Sequence, residues 1–277
     1  MSLPRAGPGH RGKAALIVWY FFLGGIVGGA YFTAAIADNF GSPRDKSVFR
    51  IGYVLALLLI GLCGILLILD LGNPSRFLNM VMHFKFWDPM SIGAWMLGVF
   101  GLFAFASSLL SFAGGEGVAP LRRRLSLLGT VSGFFIAAYT GVLLSATALP
   151  FWTDGRLMGA LFLASGASTG MAAISLLLYL SGESSGDGFK KVKRADRYAI
   201  MFEILVLAAF LGLLGGAAAP LVSGHLAPLF WGGLVVVGLV VPLLVDVAGL
   251  KLPGAVPAVL VLAGGFILRY VVVMANA

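Results

Sequence analysis

The sequence predicts an all-α integral membrane protein of eight transmembrane helices, disposed as two four-helix bundles. Of its 277 residues 60% are hydrophobic and only 11% charged, with mean hydropathy +1.01, where soluble chains carry about a quarter charged residues. The apolar residues also fall in blocks of about twenty, the length that crosses a roughly 30 Å hydrocarbon core at about 1.5 Å per helical residue. Finally, the Lys and Arg residues lie almost entirely between these blocks.

The eight blocks occupy about 14–37, 51–71, 91–112, 125–149, 157–181, 197–219, 226–249 and 256–275. The first is too long for a signal-peptide core and has no small-residue cleavage site, so it reads as a retained span. Residues 1–277 form one membrane domain with no inserted soluble domain. The longest polar stretch, Ser181 to Arg197, joins spans five and six. Sub-bundles of about 14–149 and 157–275 are expected, without a sequence repeat between them.

A net charge of +8 would suit a nucleic-acid binder, but here the basic residues report topology, and no nucleic-acid partner is expected. Alternate links carry six basic residues (Arg5, Arg11, Lys13, Arg76, Lys85, Arg156) on one side. The other side carries twelve (Arg44, Lys46, Arg50, Arg122, Arg123, Arg124, Lys190, Lys191, Lys193, Arg194, Arg197, Lys251). Because positive charge is retained inside, both termini are expected outside a bacterial or archaeal cytoplasmic membrane.

Cys63 is the single cysteine, and the histidines are His10 in the amino-terminal tail, His83 in the second link and His225 in the sixth, none within a predicted span. A bis-histidine haem needs its ligands on facing helices within the bundle, and a cluster needs several cysteines. The protein is therefore expected to carry neither haem nor metal.

Small-xxx-small pairs in the first span, Gly24 with Gly28 and Gly25 with Gly29, predict close helix packing without direct chemistry. Trp19, Trp87, Trp95, Trp152 and Trp231 suit an interfacial belt.

Ionisable groups within spans are costly and point to partners or pathways. Asp70 closes the second span before Gly72, Asn73, Pro74 and Arg76, where a fold-back salt bridge is the plainer reading. Arg269, in the outer third of the last span, pairs with Asp70, meets a ligand oxygen or snorkels to the interface. On the inner side Glu203 lies about 9 Å beyond Arg197 along a helix. With Asp246 and Asp38 it forms a candidate proton pathway, the alternative being neutral or paired interface groups. Tyr20 and Tyr139 lie about 9 Å and about 15 Å in from the outer ends of spans one and four. A phenol donates to a carbonyl oxygen while its ring packs on an apolar head group, which suits a quinone; plain packing is the alternative.

Four segments, WYFFLGGIVGGAY, LDLGNPSRFLNM, DPMSIGAWMLG and AYTGVLLSATALPFW, together resemble the NrfD/PsrC family of membrane subunits, which includes the quinone-reactive anchor of polysulfide reductase. The resemblance is carried by the first half of the chain. It implies an eight-helix subunit that binds exchangeable menaquinone or ubiquinone near the outer face. It also implies an outer partner, a four-cluster ferredoxin-like iron-sulfur subunit linked to a molybdopterin-type or other catalytic subunit. Tyr139 falls at the family's quinone-pocket Tyr, while a first-span His of the family falls at Tyr20 and a neighbouring polar residue at Ile17. Tyr20, Tyr139, Asp70 and Arg269 are thus the candidate quinone residues. Arg76, His83, Lys85 and Trp87, in a basic and aromatic link, are candidates for docking. The protein would be a non-catalytic or quinone-reactive subunit of the complex. The rival readings are a proton or solute transporter, and a structural anchor without a working quinone site.

Overall fold

A computed structural model of the protein describes residues 8–71, 82, 87, 89–113, 117–145, 152, 155–250, 252–253 and 255–275, with side chains from Ala15 onward except at 70, 71, 89 and 90. Among the described residues, eight helices are long and apolar enough to cross a membrane: α1 (Pro8–Phe40), α2 (Lys46–Leu71), α3 (Pro89–Phe112), α4 (Ala119–Ser145), α5 (Met158–Leu180), α6 (Asp187–Leu214), α7 (Leu229–Val247) and α8 (Ala255–Met274). The protein is a multi-pass membrane protein.

Four helices begin five or more residues earlier than hydropathy predicts, α1 among them, which starts at Pro8 and adds PGHRGK. The starts of α2, α4 and α6 add KSVFR, APLRRR and DGFKKVKRAD to the apolar blocks. Most of the polar stretch expected to link spans five and six is therefore the first three turns of α6. Lys and Arg are good helix formers whose stems cover apolar surface while their charges reach water, so a basic segment ends the apolar block without ending the helix.

α1 is the hub, packed against α2, α4, α5 and α8. Its glycines sort by neighbour. A Cβ at Gly28 would stand 2.6 Å from the Gly133 carbonyl oxygen of α4, whereas one at Gly29 would overlap the Gly166 carbonyl of α5 and lie 3.0 Å from the Gly170 Cα. Bilayer lipid is as apolar as the helix surfaces, so close backbone approach of this kind supplies much of the packing energy. One buried cluster joins α1 to α2, α3 and α4 through Tyr31, Tyr53 and Phe100. Another joins α1 to α5–α8 through Phe162, Phe210 and Phe230.

Helix α7 is π-helical over Leu229–Val240 and α-helical over Val241–Val247. Pro242 lies at the junction; it has no N–H to donate, and a local change of helix type is one way a span accommodates that loss. At one membrane face, Asp45 accepts from Lys191 at 2.6 Å and from the Ser42 backbone N–H at 2.7 Å, pinning the start of α2 to α6.

Candidate functional site

Tyr139 of α4 is 8% exposed and stacks on Phe135, ring centroids 5.4 Å apart. Its phenol tip rests on the backbone of α3 at Gly93, where a Cβ would stand 2.6 Å from the hydroxyl. Any larger residue at 93 would displace this hydroxyl. Tyr20 of α1 lies within electrostatic range of Tyr139 and of Cys63. It lines a narrow cleft of about 20 Å³ with Leu16, Ile17, Leu66 and Leu67. The two tyrosines, on separate helices, thus stand within electrostatic range of each other, although Tyr139 is not among the residues that line the cleft at Tyr20. Asp70 lies in the last turn of α2, one turn beyond Leu66 and Leu67, and its side chain lies outside the described ones.

Of the routes anticipated for Arg269, the structure excludes the one to the interface. It does not snorkel: it is fully buried, with the guanidinium directed at α5. Nη1 donates to the Ser165 hydroxyl and to the Gly265 carbonyl (3.0 Å), and Nη2 donates to the Phe162 carbonyl (3.1 Å). The guanidinium carbon also stands 5.2 Å from the Phe162 ring centroid. Gly25 makes the space, because a Cβ there would lie 2.7 Å from Nη2. That glycine therefore seats a charge as well as a helix.

Glu203 of α6 reaches the same place from the other side. It is 2% exposed and accepts from the Ser168 hydroxyl at 2.5 Å, with Ser165 and the Arg269 charge also acting on its carboxylate. Ser165 and Ser168, both fully buried, connect an acid on α6 to a base on α8. A buried charge in hydrocarbon persists only with such partners.

The antiparallel register that sets Ser168 against Glu203 sets Ser175 opposite Asp196, two helical turns, or about 10 Å, nearer the Ser181 end. The Ser175 hydroxyl and Asp196 Oδ1 are buried without a hydrogen-bond partner, as is Arg269 Nε. Asp196 lies within electrostatic range of both Glu203 and Asp246. Sequence reasoning missed Asp196 because it counted the residue as link. It missed the serines because small hydroxyls scarcely lower hydropathy; Ser165, Ser168 and Thr169 at helical spacing were the available sign.

Asp246 is paired with Arg197 (2.5 Å) and Lys193 (3.7 Å). Asp38 belongs to a separate cluster. It is 3% exposed, is held by Arg122 through Nε at 2.7 Å and Nη2 at 2.6 Å, and accepts from the Tyr53 hydroxyl at 3.2 Å. Of the docking candidates, Arg76, His83 and Lys85 lie outside the described residues, and Trp87 is 91% exposed in a turn.

The fold and its buried polar groups define a polytopic membrane protein with a phenol pair between α1 and α4 and a charged seam across α5, α6 and α8. A profile of the family described as "Polysulphide reductase, NrfD" matches residues 14–277, and the protein belongs to that family. It is 33% identical to the C subunit of the polysulfide reductase of Wolinella succinogenes, over 94% of each sequence. It is 28% identical to the NrfD homolog of Haemophilus influenzae, over 83% of this sequence and 81% of that one. With protein NrfD of Escherichia coli the identity is 26%, over 94% and 93%.

Proposed function

We propose that this protein is the quinone-reactive membrane anchor of a multisubunit respiratory oxidoreductase in a bacterial or archaeal cytoplasmic membrane, with both termini outside. The observation that carries the reading is that Tyr20 and Tyr139, two neutral donors on separate helices in an apolar setting, stand within electrostatic range of each other. That chemistry suits a neutral, carbonyl-bearing ring better than a charged solute. The cleft beside Tyr20, about 20 Å³, is smaller than such a ring, so entry requires it to widen. Membership of the family, and likeness to a subunit of a polysulfide reductase, agree with the reading.

A bound quinone takes up or gives back two electrons and two protons. In this protein Tyr139 donates its hydroxyl to a quinone carbonyl oxygen, Tyr20 lines the same cleft, and Asp70 exchanges protons nearby. The electrons pass to or from an iron-sulfur subunit docked on the outer link that carries Arg76, His83, Lys85 and Trp87. A catalytic subunit, molybdopterin-type or other, lies beyond it. Asp246, Asp196 and Glu203, continued by Ser168, Ser165 and Arg269, make a polar route that supports proton movement in the same subunit. Asp38 stands apart from that route, held by Arg122 and Tyr53.

Tyr139→Phe tests the phenol. The ring and its stacking on Phe135 remain and one hydroxyl is lost. A hydrogen bond contributes about 0.5–1.5 kcal/mol, so quinol-linked turnover falls several-fold to about tenfold. Artificial-dye activity of the catalytic subunit in the same preparation stays constant. Unchanged quinol-linked turnover removes Tyr139 from the site, and equal loss in both assays assigns it to assembly.

A further inference from the structure

Away from the phenol pair and the charged seam, a cavity of about 700 Å³ opens where the ends of α1, α2, α3 and α4 meet. Among the described residues its lining includes Lys46, Arg50, Arg122 and Arg123 against one acid, Asp38. That acid is already satisfied, since Arg122 grips it with two hydrogen bonds of 2.7 and 2.6 Å. Three cationic charges are left over.

Three of the four bases are held in place. Arg50 Nε donates to the Ser111 carbonyl at 2.9 Å while its guanidinium carbon lies 5.1 Å from the Phe112 ring centroid. Arg122, besides gripping Asp38, lies over Phe49 at 4.7 Å. Arg123 spends Nε on the Asp38 backbone carbonyl at 3.1 Å, which leaves its two terminal nitrogens for a ligand. Lys46 is exposed and has no acidic partner among the described residues. A fixed, surplus-cationic concavity suits phosphate oxygens, to which Arg binds in bidentate fashion and Lys as a point charge.

The cavity's place in the fold identifies the source of the phosphate. It lies where four apolar spans end, the depth of a lipid headgroup. Beside it α3 presents Leu109 and Phe112, 59% and 58% exposed, a surface along which acyl tails can lie. A soluble anion would have no use for that flank. We propose that this cavity binds the headgroup of an anionic phospholipid, with charge and room for the two phosphates of a cardiolipin-type lipid. Basic pockets between span ends on the cytoplasmic side are suited to such headgroups.

The test uses the full-length protein purified with whatever subunits accompany it, stripped of lipid in detergent. Tetraoleoyl cardiolipin, dioleoyl phosphatidylglycerol, dioleoyl phosphatidylcholine and inorganic pyrophosphate are added in parallel, and binding is read by native mass spectrometry. Cardiolipin is expected to bind at least tenfold more tightly than phosphatidylcholine, with phosphatidylglycerol between them. The double variant Lys46→Gln/Arg123→Gln loses at least tenfold in cardiolipin affinity and Lys46→Gln alone about threefold. Arg124→Gln/Lys190→Gln, which removes two exposed charges outside the cavity, keeps wild-type binding. The site is refuted by undiminished binding in both cavity variants, or by an equal loss in the charge-matched control. Binding of phosphatidylcholine as tight as cardiolipin also overturns the proposal. Pyrophosphate binding as tight as cardiolipin would assign the cavity to a soluble polyanion and overturn the lipid reading.

Discussion

Arg269→Leu is expected to lower the stability of the assembled protein by about 3 kcal/mol or more, the scale on which losing one partner strands another buried charge. The guanidinium satisfies the Phe162 and Gly265 carbonyls and the Ser165 hydroxyl, and it is the cation acting on the buried Glu203 carboxylate. Leucine fills most of the space and removes all of this at once. If charge coupling dominates, the double variant Arg269→Leu/Glu203→Gln recovers most of the lost thermal stability, because the stranded carboxylate is gone. Full-size losses in both variants would instead place the effect in the carbonyl and serine hydrogen bonds. Wild-type stability of Arg269→Leu would contradict the seam altogether. Thermal unfolding monitored by size-exclusion chromatography separates these outcomes.

The second large effect is expected at Gly29. A Cβ there overlaps the Gly166 carbonyl, with the Gly166 carbonyl carbon at 2.8 Å and the Gly170 Cα at 3.0 Å. All of these are backbone atoms, so no rotamer change relieves the contact and α1 must separate from α5. Gly29→Val should therefore nearly abolish accumulation of folded protein in the membrane. Gly101→Val adds the same side chain where nothing lies within 4 Å, and should accumulate normally. Gly24→Ala, whose nearest neighbours are the Thr140 and Ile136 methyls at 3.8 and 3.9 Å, should also be tolerated. Equal accumulation of Gly29→Val and Gly101→Val would show that the α1–α5 approach does not hold the bundle together.

Hydropathy places all eight spans, because in a bilayer the backbone must satisfy itself and the helix is the only open solution to that requirement. It misplaces the starts of α1, α2, α4 and α6 for a related reason. Transfer free energy marks where the apolar block ends, and Arg122 or Lys191 stops the block while continuing the helix. The glycines of α1 are legible as packing, but which helix each one meets is not, since that depends on the rotation of α4 and α5 about their axes.

The candidate site divides in the same way. Tyr20 and Tyr139 are picked out by depth and by family resemblance, and depth alone suggests that they share a layer. That Gly93 seats the Tyr139 hydroxyl is invisible in one sequence, because no local pattern links α3 to a residue 46 positions later on α4. Glu203 and Arg269 are assigned by depth to inner and outer groups, yet two serines on α5 connect them. Pairing between distant helices is set by packing, and packing leaves little trace in one-dimensional patterning.

Quinone content tests the central claim most directly. The assembled protein, purified in mild detergent, is extracted and its menaquinone and ubiquinone are counted against protein and co-purified phospholipid. Binding at the phenol pair predicts close to one quinone per protein molecule, in excess of the quinone-to-phospholipid ratio of the source membrane and depleted in Tyr139→Phe. Quinone present only in proportion to residual phospholipid, and equal in wild type and variant, would contradict it.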